Sequence, residues 1–101
     1  MVLAEVSVIP LGTGSPSVSK HVARAVRALQ HEKDVKYELT SMGTIVQGDL
    51  TAILRVAERM HQAAFDEGVM RVVTTIKIDD RHDKPLTMDG KIESLTKALG
   101  Y

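Results

Sequence analysis

The side chains of this chain that are able to do chemistry are carboxylates, hydroxyls, imidazoles and one glycine-rich loop. Glu5 and Glu38 each interrupt an alternating apolar run, the pattern of a strand with one buried face. Ser7, Thr40, Thr44 and Thr75 lie in or beside the same runs; each hydroxyl is both donor and acceptor. His21, His31, His61 and His82 are scattered without metal-ligand spacing, so no metal is expected. His61 falls at the edge of a helical apolar stripe and reads as a packed, hydrogen-bonded histidine. No serine stands at a motif spacing from a histidine. The residues therefore point to binding rather than catalysis, with no catalytic residue and no resident cofactor.

The loop IPLGTGSPSVSK, residues 9–20, has the look of a phosphate cradle. It fails both templates: a P-loop needs four residues between its glycines and then Lys-Ser/Thr, and the dinucleotide fingerprint needs a third glycine where Ser17 stands. A turn is sufficient, with Gly12 and Gly14 bending the chain, Ser15 or Ser17 capping a helix and Pro16 in its first turn. The remaining functional reading is an anion at that helix start, near Thr13, Ser15 and Ser17. Asp79–Asp83, DDRHD, lacks calcium-loop spacing and reads as a solvated strand-end loop with local salt bridges.

Five changes of periodicity set the elements that must position these groups. Residues 2–9 alternate, with Val2, Ala4, Val6 and Val8 on one face and Leu3, Glu5, Ser7 and Ile9 on the other. Residues 17–31 take helical spacing through Val18, Val22, Ala25, Val26 and Leu29. Residues 35–40 alternate again, Ser41-Met42-Gly43 turns, and Thr44–Gln47 returns. Asp49 is a good N-cap for a helix over 50–67, whose stripe is Leu50, Ile53, Leu54, Ala57, Met60, Ala64 and Phe65, with Gly68 closing it. Residues 70–79 form the most β-prone stretch, and 87–99 a short helix with Met88, Ile92, Leu95 and Leu99 inward. The order β-α-β-β-α-β plus a C-terminal helix predicts one ferredoxin-like α+β domain over residues 1–101, an antiparallel four-stranded sheet in the order 4-1-3-2.

Composition narrows the class of partner. Thirteen basic and thirteen acidic residues cancel, so nothing draws the chain to nucleic acid or anionic membrane over long range. The absence of cysteine excludes disulfides and thiolate metal sites. Aromatics are only 3%, which leaves a thin aliphatic core that gains from self-association. The N-terminus has no basic n-region and carries Glu5 within its apolar run, unlike a signal peptide. A soluble, cytoplasmic protein is expected.

Both helices are expected on one face of the sheet, leaving the other uncovered. Parity gives that face Leu3, Glu5, Ser7 and Ile9, then Lys36, Glu38 and Thr40, then Val73, Thr75 and Lys77; the third strand contributes either Ile45 and Gln47 or Thr44 and Val46. The mixture suits a subunit interface, or an interface that also encloses a small ligand. Glu5 and Glu38, roughly 10 Å apart across one intervening strand, are spaced to flank a heterocycle and too distant to act as an acid pair. RNA-binding versions of this fold stack bases on sheet aromatics, which this face lacks.

The segments VIPLGTGSPSVSK, YELTSMGTIVQGD and GVMRVVTTIKIDDRHDK resemble the small thiamine-binding protein family. The pattern is matched at Pro10, Gly12, Thr13, Ser17, Ser19, Thr40, Gly43, Thr44, Gly48, His61, Gly68, Arg71, Arg81, Asp83 and Lys84. Gln47 stands where many relatives carry Glu. The resemblance implies a ferredoxin-like fold, sheets paired edge to edge into dimers and packed face to face into homotetramers, and in some members binding of thiamine or its pyrimidine moiety. A thiazolium cation favours a nearby carboxylate, and an aminopyrimidine wants a paired donor and acceptor. Glu5, Ser7, Thr40, Met42, Gly43, Thr44 and Thr75 are the residues expected to supply these between sheet faces. The expected function is non-catalytic binding of thiamine or a related pyrimidine, as carrier, buffer or sensor. The alternative is an oligomeric structural or regulatory protein without a ligand.

Overall fold

The computed structural model of the protein describes residues 1–16, 18–65 and 68–100. Its elements run β1 (Val2–Leu11), α1 (Ser19–Arg27), β2 (Val35–Leu39), β3 (Thr44–Gly48), α2 (Leu50–Ala63), β4 (Arg71–Asp80) and α3 (Met88–Ala98). The four strands form one sheet in the order β2-β3-β1-β4, every pair antiparallel. This is the ferredoxin-like α+β arrangement that the element order predicts.

The alternation in β1 decides the core. Val2, Ala4, Val6 and Val8 all point to one face and are all buried. Val46 of β3 joins them, and α1 and α2 cover that face with Ala25 and Leu29, and with Ile53, Val56, Ala57 and Met60. The core is aliphatic throughout.

Helix boundaries and faces depart from the sequence expectation in three places. α1 starts at Ser19, its N-cap is Val18, and among the described residues no side chain caps it. Ser15 and Pro16 therefore lie in the preceding loop, where Gly12 and Gly14 take φ of 73° and 77°, the left-handed region that glycine enters without strain; the proposed cap Ser17 lies outside the described residues. In α2 the buried stripe is centred on Ile53, Val56, Ala57 and Met60, while Leu50, Leu54 and Phe65 are exposed. Asp49 occupies the N-cap position, but only its carbonyl is used, accepting from Ile53 N–H at 2.9 Å.

The third departure bears on function. α3 buries none of its residues; Ile92, Leu95 and Leu99 are exposed rather than inward. This helix lies across one end of the open sheet face. Thr87 caps it, accepting from Gly90 N–H at 3.0 Å. The Gln47 side chain, on β3, accepts from Met88 N–H at 2.8 Å, and Lys91 pairs with Asp79 of β4. A short helix with no buried face is marginal alone, so these tethers determine where it sits.

On the opposite side of the sheet, the connection from α1 to β2 is clamped to α2. The Glu32 side chain is 6% exposed and pairs with Arg55 at 3.2 Å and with Arg59, while Asp34 reaches Arg55 at 3.1 Å. The hydrogen bond from Arg55 to Glu32, then that to Asp34, holds the guanidinium above its ordinary pKa.

Candidate ligand site on the open sheet face

Pairing register turns the open face into a grid. One row holds Lys36, Gln47, Leu3 and Asp79; the next holds Glu38, Ile45, Glu5 and Lys77; beyond β3, Ser7 faces Thr75 and Ile9 faces Val73. Glu5 and Glu38 thus flank Ile45 in one row, two strand spacings or roughly 10 Å apart. This is the arrangement the alternation predicts.

A cavity of about 250 Å³ lies over this row, with Leu3, Ile45, Met88 and Ile92 as apolar lining and Glu5, Glu38, Asp79, Lys77 and Lys91 as charged lining. Three carboxylates against two ammonium groups leave it net negative, and Lys91 is already paired with Asp79. Apolar lining with a few convergent charges is the composition of a small-molecule site, and the residual negative charge suits a cation.

The β2–β3 turn abuts the same row. A Cβ on Gly43 would lie 3.4 Å from Glu5 Cγ and 3.2 Å from the Val6 carbonyl oxygen. A side chain at Gly43 would crowd the Val6 carbonyl oxygen and meet Glu5 only at ordinary contact distance, so Gly43 lets the turn sit close against β1.

The remaining expected site residues divide. Ser7 and Thr75 share the open face one row farther along, and neither lines the cavity. Thr40 is used by the turn: its hydroxyl donates to the Gly43 carbonyl at 2.8 Å and accepts from the N–H groups of Gly43 and Met42 at 3.1 and 3.3 Å. Met42 is 81% exposed at the turn tip, away from the cavity. Thr44 is on the wrong face. It pairs with Val6 and is buried on the helix side, because the turn register gives Ile45 and Gln47, not Thr44 and Val46, to the open face. Ser7, Thr40, Met42, Gly43 and Thr44 all border a separate notch of about 640 Å³ between α1 and the β2–β3 turn.

The anion reading of the first loop loses Thr13, whose hydroxyl donates to the Ser15 carbonyl at 2.9 Å. His61 is packed as expected: Nδ1 is 2.7 Å from the Thr74 hydroxyl, and the ring meets Phe65 edge-on with centroids 5.3 Å apart. The DDRHD loop holds the Arg81–Asp83 ion pair, and His82 Nε2 lies 3.2 Å from an Asp80 carboxylate oxygen. The Arg81 hydrogen bond holds the Asp83 carboxyl below its ordinary range. Among the described residues, no cluster of His, Cys, Asp or Glu is arranged to hold a metal ion, and no helix is long and apolar enough to cross a membrane.

Gln47 is a residue to which sequence reasoning gave no role. Its amide bridges the Met88 N–H and the Met1 sulfur, the latter at 3.4 Å. A buried polar side chain in a strand is the signal that could have found it, since such a group must have a partner.

Comparison with known proteins agrees with this fold. Residues 4–96 match the family model described as thiamine-binding protein. UPF0045 protein YqgV of Bacillus subtilis is 45% identical over 102 residues, covering 98% of each chain. The crystal structure of hypothetical protein MJ1052 from Methanocaldococcus jannaschii superposes with a TM-score of 0.87 at 41% identity, covering 95% of this chain and 96% of that one. A putative thiamine biosynthesis/salvage protein from Thermotoga maritima shares the fold, with a TM-score of 0.77 at 19% identity over 93% of this chain and 97% of the other. With a match over nearly its whole length, this chain belongs to the thiamine-binding protein family.

Proposed function

We propose that this protein binds thiamine or a related aminopyrimidine without changing it chemically, as a homotetramer built as a dimer of dimers, and serves as a carrier, buffer or sensor. The observation that carries this reading is the Glu38–Ile45–Glu5 row beneath a cavity of net negative charge. The thiazolium cation sits beside the Glu5 carboxylate, and the flat ring lies on Ile45. Glu38 accepts from the exocyclic amine. With no aromatic to stack on, the ring depends on apolar enclosure, which a second open sheet face laid over the first would complete. The family membership supports the ligand class.

A second reading is favoured by a separate observation. Ile92, Leu95 and Leu99 of α3, with Ile9 and Val73 of the open face, are all exposed, and the outer edge of the ten-residue β4 is unpaired. Those features serve self-association with or without a ligand.

Thermal unfolding with thiamine, its phosphates and hydroxymethylpyrimidine, with size from light scattering, separates the two. A binder gains stability with ligand concentration, and Glu5→Gln weakens it roughly tenfold or more by removing one charge-assisted contact. A tetramer indifferent to all of these ligands leaves assembly alone.

A further inference from the structure

We infer that the notch between α1, the β2–β3 turn and the free edge of β1 is a second ligand site, for a planar nitrogen heterocycle carrying an anionic tail, the chemistry of a nucleoside monophosphate. β3 pairs with β1 only over Val2–Val6, whereas β4 continues to Leu11. The Val6 carbonyl oxygen points toward β3, since it lies 3.2 Å from where a Gly43 Cβ would stand. Backbone groups alternate sides along an antiparallel strand, so the N–H and C=O of Val8 point the same way, into the notch. Pro10, next in that series, brings a carbonyl and no N–H. β3 ends before Val8, so on this side the edge of β1 has no strand partner. Val8 therefore offers an N–H and a C=O side by side to a group seated in the notch.

The notch has room for a ligand rather than for water alone, at about 640 Å³. Val22, Val26 and Met60 give it apolar walls, and Arg27 and Gln30 stand at its rim. Arg27 has no ion pair among the described residues. The adjacent N–H and C=O of one residue match an edge with adjacent acceptor and donor, as adenine and cytosine present. Flat ring faces suit the valine and methionine walls, and a guanidinium suits a phosphate. An added peptide strand fits less well, because the free edge is only the five residues Ser7–Leu11 and Pro10 removes one of its two inward donors. The notch is bordered by α1 and so is distinct from the α3-capped cavity over Glu5, and this inference does not depend on the thiamine reading.

The test is a titration of the ¹⁵N-labelled protein with AMP and CMP, with adenosine, cytidine, inorganic phosphate and thiamine monophosphate alongside, following the Val8 and Ile45 amides. The nucleotides are expected to shift the Val8 amide and slow its hydrogen exchange while leaving Ile45 in place. Arg27→Ala is expected to weaken AMP roughly tenfold and to leave adenosine unchanged. Val22→Phe, on the exposed side of α1, is expected to fill the notch and abolish both responses. Thiamine monophosphate shifting Val8 and not Ile45 would support the notch and move the thiamine reading to it. A Val8 amide unmoved by every probe at millimolar concentration, or a shift that survives Val22→Phe, would overturn the inference.

Discussion

The two faces of the sheet are built from the same strands and obey different rules. On the helix face, Val2, Ala4, Val6, Val8 and Val46 meet Ile53, Val56 and Met60 with almost no exposure. On the open face, the same β1 presents Leu3, Glu5, Ser7 and Ile9 beneath a partial lid held by two polar tethers. Burial of methylenes is cumulative and non-directional, so the first face is secured by many small terms. The second depends on a few directional bonds, and its Ile9 and Val73 stay exposed. The packed core lies on one side of the sheet, and the other side is left open.

That division can be broken most forcefully in the core. Ile53→Ala removes a fully buried side chain from α2 and should cost about 2–5 kcal/mol, measured by urea unfolding of the ligand-free protein. Gln47→Ala tests the lid. It strands the Met88 N–H and should cost about 1–3 kcal/mol, with faster hydrogen exchange confined to the first turn of α3; Gln47→Glu keeps an acceptor and should restore protection. Ile9→Ser, on the open face and 45% exposed, should change monomer stability by less than about 0.5 kcal/mol while weakening any face-to-face assembly in sedimentation. The smallest effect belongs to Asp83. Its depressed carboxyl stabilises the fold above the ordinary carboxylate range, and that contribution disappears as pH falls through the lowered value. Asp83→Asn should therefore leave Tm at pH 7 unchanged within error, because the Arg81 pair is exposed, and flatten only the acid end of a Tm–pH profile.

Much of the fold was legible because its patterns are local. The alternation in residues 2–9 identified the buried face of β1 and left Glu5 on the other. The parity of VKYEL did the same for Glu38, and one shared neighbour, Ile45, put the two carboxylates in a row. Thr44 was less legible, because a strand's facing is set by the turn before it, and one residue of slip reverses every side chain. The local bonds of Thr40 and Thr13 were missed for a related reason: a hydroxyl beside a turn bonds to its own backbone first. α3 misled through its amphipathic spacing, which states that one face is apolar but not what will cover it.

The sequence by itself determined the order of elements, the aliphatic core of β1 and α2, the family, and the pairing of Glu5 and Glu38 on one face. Only the tertiary structure decided that Gln47 and Asp79 hold α3 over that face, that Gly43 packs close against the Val6 carbonyl, and that β1 outruns β3 to leave Val8 facing a notch. Periodicity is a property of neighbours along the chain. Tethers, clearances and unpaired edges depend on which distant residues meet, and that is settled when the whole sheet closes.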